Sequence, residues 1–217
     1  MHITVMTREI WPAEGVFFAR VHEDLVVLCV DADEYACLPD AGDWLRPDTC
    51  VLIAPGQEQA EQLIEAGLAS SSKPETLDRR PAAPHGRIQA AERPALFEMA
   101  RTLAVLATAT LAFRGKTFRQ LIQSSGGGPI SEPLDEARLA RCLAAYEAIL
   151  PWVPGEGECL QRSFQLRRLL TRQGFACDWV FGVRTWPFGA HCWIQVGDRV
   201  VGDTLGRVQA YTGIMVV

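Results

Sequence analysis

This sequence has little that would put it in a membrane, outside the cell or around a metal. Its seven cysteines (Cys29, Cys37, Cys50, Cys142, Cys159, Cys177 and Cys192) are odd in number and scattered, and no two form a C-x-x-C pair. A disulfide framework asks for an even count in a short secreted chain, and structural zinc asks for paired spacings. Both are excluded, which leaves reduced thiols, mostly buried, with at most one reactive. No apolar run exceeds the twelve residues from Thr102 to Phe113, between Arg101 and Arg114. A bilayer needs about 20, so this run is expected to be a buried core helix and no membrane partner is expected. The opening MHITVMTREIW carries its apolar residues in alternation, not as the block of a secretory signal. A cytoplasmic protein is the expectation.

Basic charge is scarce in the first third. Residues 1–72 hold Arg8, Arg20 and Arg46 against thirteen acidic side chains, whereas residues 73–217 hold eighteen basic against thirteen acidic. A split of that size points to two units with different jobs. It argues against nucleic acid for the first, because binding phosphates requires basic surface. A nucleotide loop is also excluded. Gly115-Lys116-Thr117 has the tail of a Walker A motif, but Thr110 occupies the position of its first glycine.

What is present reads as α+β. In the first unit, β-rich runs at Val16–Val21 and Leu25–Val30 flank His22-Glu23-Asp24, and a third run lies around Tyr35–Leu38. Hairpin-length connections imply a three-stranded antiparallel sheet. A helix-forming stretch from Gln57 ends at Gly67, suited to a C′ position. An edge strand beside a late helix leaves a groove that can take an extended peptide as an added strand. Residues 73–94, rich in Ser, Pro, Ala and charge, read as a linker between a first unit at 1–72 and a second at 95–217. In the second unit, helices are expected over about 94–113, 135–150 and 159–173. Strands follow at 177–183, 190–196 and 199–203, with a last one in YTGIMVV.

Cys159 follows the glycine-rich GEGE and opens an amphipathic helix, where backbone N–H groups and the dipole favour a thiolate. A nucleophilic cysteine needs a base, and the base needs an orienting group. Of the four histidines, His2 is terminal, His22 lies in a hairpin turn and His85 in the linker, which leaves His191. Asp178, Asp198 and Asp203 are the nearby carboxylates. Asp198 reads as a turn residue, and Asp203 ends the returning strand. For Asp203 to share a face with His191, the pairs must run 191:203, 193:201 and 195:199, with an odd-numbered loop or a bulge at 196–198. A two-residue Gly-Asp turn is expected to point Asp203 away. Each residue also has a plain alternative, since single buried thiols and strand histidines are common. Cys177 and Cys192 read as core, Cys192 because it points to the opposite face from His191.

The conjunction resembles the bacterial transglutaminase-like cysteine peptidases, and more narrowly the B proteins of lasso peptide biosynthesis. The resemblance rests on C-L-x-R-S at 159–163, L-x-x-L-L-x-x-x-G from Leu166 to Gly174 and F-G-V at 181–183. P-F-x-A-H-x-W at 187–193 and Asp203 complete it, with spacings of 32 and 12 residues between Cys159, His191 and Asp203. Cys192 departs from the family, which more often has alanine there, and is expected to alter packing and not the triad. The resemblance implies a papain-like peptidase domain with Cys159, His191 and Asp203 as its triad, and a Cys159 N–H as oxyanion donor. Arg162 belongs to the motif as a salt-bridge partner or a substrate contact, and Trp193 packs near the histidine.

For residues 1–72 the resemblance implies a winged-helix-like domain that binds a precursor's leader peptide between the third strand and the last helix, at Tyr35, Leu38 and Leu63. The implied partners are a lasso precursor peptide and an asparagine-synthetase-like cyclase, which itself uses ATP. No metal or cofactor is implied for this chain. An acyl transferase of the transglutaminase type on the same fold, or a non-catalytic peptide-binding scaffold, are the alternatives.

Overall fold

The computed structural model describes residues 8–47, 49–75, 79–91, 93–126, 134–153 and 159–217. The fold is α+β. It separates into two compact units, one of residues 1–81 with 183–189 and 212–215, the other of 82–182 with 190–211 and 216–217.

In the first unit the elements are β1 (Arg8–Pro12), β2 (Val16–Val21), β3 (Asp24–Cys29), β4 (Glu34–Leu38), β5 (Leu52–Ala54), α1 (Gln57–Glu65) and β6 (Ala69–Ser70). Strands β2, β3 and β4 form the antiparallel sheet implied by their short connections, in that order. The first turn is one residue tighter than the sequence suggested. Val21 pairs with Asp24, so His22 and Glu23 alone connect the strands, and His22 takes a left-handed φ of 57°. Central β3 is buried on both faces, with Leu25, Val26, Val27 and Leu28 all at 0% exposure. A second sheet, ordered β5-β1-β6, has no counterpart in the sequence reading. Its strands are five, three and two residues long, too short for alternation to register, and partners distant in the chain define them.

Helix α1 ends as its glycine demands. Gly67 adopts φ 70°, Leu68 N–H donates to Leu63 O and Gly67 N–H to Ile64 O, a Schellman closure. The helix packs on β1, β5 and β6, and its inner face carries Ala60 and Leu63. It is the single α-helix among the described residues of this unit, so the several helices of a winged-helix domain are not matched. Between Asp40 and Pro55 the chain instead holds a 3-10 turn at Gly42–Trp44 and strand β5.

The remaining elements are β7 (Gly86–Ile88), α2 (Leu96–Phe113), α3 (Phe118–Ser124), α4 (Glu136–Ile149), α5 (Cys159–Arg172), β8 (Asp178–Arg184), β9 (Gly189–Val196), β10 (Arg199–Val201), α6 (Leu205–Val208) and β11 (Thr212–Val216). The sheet order is β11-β8-β9-β10-β7. Strand β7 corrects the linker at 73–94. Within that Pro- and Ala-rich stretch, Gly86, Arg87 and Ile88 pair in parallel with Arg199, Val200 and Val201. Three residues whose partner lies over a hundred positions away leave no local signal.

The apolar stretch at 102–113 is also corrected. Helix α2 is 18 residues long, enough by length and composition to cross a membrane. One side packs on α4 and α5 through Thr102, Val105, Leu106, Ala109 and Thr110. The other side is open, with Leu96, Phe97, Leu103 and Leu111 at 84, 75, 44 and 68% exposure. The Gly-Lys-Thr tripeptide has a plain structural role. Gly115 takes φ 69° after α2, and Thr117 caps α3 in a reciprocal capping box with Gln120.

On one face of the sheet, Val180, Trp193, Val200 and Val208 form a compact cluster. On the other, Trp179 and Phe181 pack against Phe164 of α5 and Phe118 of α3. This two-sided burial holds the start of α5 over the start of β9.

Candidate active site

Cys159 is the first residue of α5 and His191 the third of β9. The glycine-rich 154–158 that precedes Cys159 lies outside the described residues. Cys159, His191, Cys192 and Asp203 line one cleft of about 170 Å³, together with Tyr146, Arg162, Trp193 and Arg207. Cys159 and His191 face this cleft together, and His191 Nε2 lies 2.6 Å from Asp203 Oδ2. With Nε2 committed to the carboxylate, Nδ1 is the ring nitrogen left for the sulfur. Asp203 is itself fixed, since its Oδ1 accepts from Thr204 N–H at 2.7 Å.

The hairpin register that brings Asp203 there is not the one expected. Arg199 pairs with Val196, Val200 with Gln195 and Val201 with Ile194. The turn is therefore the two-residue Gly197-Asp198 type, with Gly197 at φ 63°. Continued in that register, the strand would set residue 203 opposite Cys192 and send its side chain to the face away from His191. It does not continue. Strand β10 stops at Val201, and Gly202 takes φ 72°, which turns the chain and re-aims Asp203 at the imidazole. A side chain at 202 is strained by that φ, and Leu166 Cδ2, which would lie 2.5 Å from an added Cβ, would have to shift. The expectation of an odd-numbered loop is overturned, yet the His191–Asp203 contact it was meant to explain is present.

Charge follows the geometry. Cys159 is held down to about 4, chiefly by a hydrogen bond from the Cys192 side chain; burial opposes this, and His191 and the Cys192 backbone add to it. Burial works against an imidazolium at His191, but hydrogen bonds and charge from Asp203 and Cys159 prevail and lift it to about 9. Burial likewise opposes a charged Asp203, and the His191 contact overcomes it and lowers the carboxyl. The lowered thiol and the raised imidazole both favour a thiolate beside an imidazolium. By contrast, burial pushes Cys142 and Cys177 up to about 11.

The other expected residues are placed as follows. Trp193 is 3% exposed and stacks at 6.0 Å and 26° on His191. Its indole N–H donates to Gln195 at 2.6 Å, and Gly182 leaves the room its ring fills, because a Cβ there would meet it at 2.7 Å. Trp193 thus fixes the histidine from beneath. Arg162 is exposed at the cleft's rim, and its carbonyl accepts from Tyr146 Oη at 3.3 Å. In the first unit, Tyr35 lies on edge strand β4 and packs at 5.6 Å on Phe188 of the same unit. Leu38 is half-buried against the core. Leu63 is a correction, because at 6% exposure it belongs to the core cluster as the inward position of α1 and offers nothing to a ligand.

Gly202, which turns the chain before Asp203, went unrecognised from sequence. The one available signal was the glycine directly before Asp203, a breaker at a strand end. Asp198 is exposed at its turn, as its position suggested. Among the described residues no three His, Cys, Asp or Glu side chains gather as a metal site.

No solved structure matches the chain. Microcin J25-processing protein McjB of Escherichia coli is 40% identical over 48 residues, which is 22% of this chain and 23% of that protein. Residues 102–216, just over half of the chain and the stretch that carries Cys159, His191 and Asp203, match the transglutaminase-like superfamily, and the chain belongs to that superfamily.

Proposed function

We propose that this protein is a cysteine peptidase that removes the leader from a lasso-type precursor peptide. The observation that carries the reading is the single cleft that gathers Cys159, His191 and Asp203, with His191 Nε2 2.6 Å from Asp203 Oδ2. The partial identity to a microcin-processing protein supports the choice of substrate. Cys159 Sγ attacks the scissile carbonyl carbon, and the oxyanion is met by the Cys159 N–H at the start of α5. His191, already protonated, gives its proton to the leaving amine. Neutral imidazole then draws a proton from water, which hydrolyses the thioester and releases the leader. Asp203 orients the ring throughout.

The domain reading belongs to the same proposal. Residues 1–72 hold the leader, and β4 is the edge strand to which it adds. The second unit cuts, and the core passes to an asparagine-synthetase-like cyclase. A transglutaminase-type acyl transfer shares every step up to the thioester, and differs in which nucleophile resolves it. Incubating the protein with a candidate precursor and reading masses decides. Loss of the leader mass supports the peptidase, a joined product supports the transferase, and a bound but intact precursor supports a scaffold.

A further inference from the structure

We propose that Arg162 and Arg207 form a carboxylate-binding subsite of this cleft, one that selects a peptide with an acidic side chain beside the carbonyl that Cys159 attacks. The proposal rests on the peptidase reading and deepens it by naming a feature of the substrate. It also gives Arg162, open in the sequence between a salt-bridge partner and a substrate contact, the second of those roles.

Charge in the cleft does not balance. Besides Cys159 and His191, its lining holds one carboxylate, Asp203, and two guanidinium groups, Arg162 and Arg207. A proton shared between Cys159 and His191 leaves that pair at zero net charge whether it sits on sulfur or on imidazole. One negative charge then faces two positive ones, and the lining keeps a positive excess. Asp203 is also engaged elsewhere, with Oδ2 2.6 Å from His191 Nε2 and Oδ1 accepting from Thr204 N–H at 2.7 Å. Tyr146 adds no negative charge, because burial pushes its hydroxyl up. Among the described residues neither Arg162 nor Arg207 forms an ion pair, whereas Arg20, Arg46, Arg87, Arg141 and Arg199 each do.

The fold fixes where these two charges stand. Arg162 follows Cys159 by three residues in α5, a spacing that puts both side chains on one face of the helix. Its carbonyl accepts from Oη of buried Tyr146 at 3.3 Å, which anchors that turn of helix while the side chain stays exposed at the rim. Arg207, also exposed, follows Asp203 by four residues, in α6. The next residue, Val208, is 0% exposed in the cluster with Trp193 and pins α6 to the sheet. A peptide seated on Cys159 in a cleft of about 170 Å³ therefore lies beside both arginines. Guanidinium presents paired N–H donors that match a carboxylate. The apolar walls of Leu150, Leu166, Trp193 and Ile194 strengthen the attraction by keeping the local dielectric low.

The test alkylates Cys159 in the full chain with anionic iodoacetate and with neutral iodoacetamide, and reads both rates by peptide mass spectrometry. Sulfur displaces iodide from either reagent, so the ratio of the rates, divided by that of N-acetylcysteine amide, isolates attraction for the carboxylate. Any change in the thiol itself cancels. Wild type is expected to favour iodoacetate by about tenfold, within the range of charge focusing in clefts, and to lose the preference in ~0.5 M salt. His191 attracts the anion in every variant, so the decisive reading is the loss on removing an arginine. Arg162→Gln and Arg207→Gln should each lower the ratio by about threefold, and Arg162→Lys should restore most of it. In parallel, a candidate precursor carrying Glu beside its cleaved bond should exceed the Gln version in kcat/KM, and Arg162→Glu should reverse that order. A ratio that neither glutamine variant moves, or cleavage indifferent to Glu against Gln, overturns the subsite and leaves the peptidase reading intact. An arginine-dependent ratio with no cleavage of any precursor supports the subsite and overturns that reading. An ordinary ratio with no cleavage overturns both.

Discussion

Gly202→Ala is the sharpest perturbation of this site, because Asp203 is aimed at His191 by a glycine. The added Cβ would lie 2.5 Å from Leu166 Cδ2, whereas carbon contacts settle at about 3.5–4.0 Å, so roughly 1 Å of movement is forced. The residue must also hold φ 72°, which costs a side-chain-bearing residue about 1–2 kcal/mol. Relieving the overlap adds about 1–3 kcal/mol. A misplacement of ~1 Å at a catalytic group costs about 10²-fold in rate. Full loss of the orienting carboxylate would set a ceiling of about 10⁴-fold.

The assay is kcat/KM on the precursor beside thermal unfolding, with Gly197→Ala as the internal control. Gly197 has φ 63° in the same hairpin, but nothing lies within 4 Å of its added Cβ. Gly197→Ala should therefore lose stability and keep activity, whereas Gly202→Ala loses both. Gly202→Ala combined with Leu166→Ala should recover part of the activity by clearing the overlap. A Gly202→Ala enzyme cleaving as fast as Gly197→Ala would refute the account of how Asp203 reaches His191.

The pH dependence of kcat/KM is expected to be a bell, because activity needs thiolate and imidazolium together. Its acid limb lies near 4, where Cys159 gains a proton, and its alkaline limb near 9, where His191 loses one. A flat profile across that alkaline limb would remove the imidazolium from the mechanism. In Asp203→Asn the larger of the two influences that raise His191 is gone, Cys159 being the other, while burial still opposes its charge, so the alkaline limb should move to lower pH, which NMR titration of the ring checks directly. Leu63→Ala should cost about 2–5 kcal/mol as a core truncation in denaturant unfolding. A loss of precursor affinity at unchanged stability would instead return Leu63 to the binding surface.

Much of the second unit was readable because its signals are local. The helix from Cys159 has a start, an apolar period and a glycine stop, and α5 runs Cys159–Arg172. The strands around His191 are long enough to show β-rich composition, and β9 runs Gly189–Val196. The three-stranded sheet of the first unit was legible for the same reason. Strands β1, β5, β6 and β7 were not, since none exceeds five residues and what defines each is a partner elsewhere in the chain. Leu63 shows the complementary limit. Its spacing marks a helix face, but the sequence does not say whether that face meets a ligand or a core.

The sequence by itself determined which groups could react: one thiol at a helix start, one histidine in a strand, and an aspartate at the end of the next. Those are matters of residue type and order, which local physics fixes. Only the tertiary structure decided how they meet. Strand periodicity predicts a side chain's face as long as the strand lasts, and here β10 stops at Val201 and Gly202 resets the direction. A Cβ at that turn would lie 2.5 Å from Leu166 Cδ2, a residue 36 positions away in the chain.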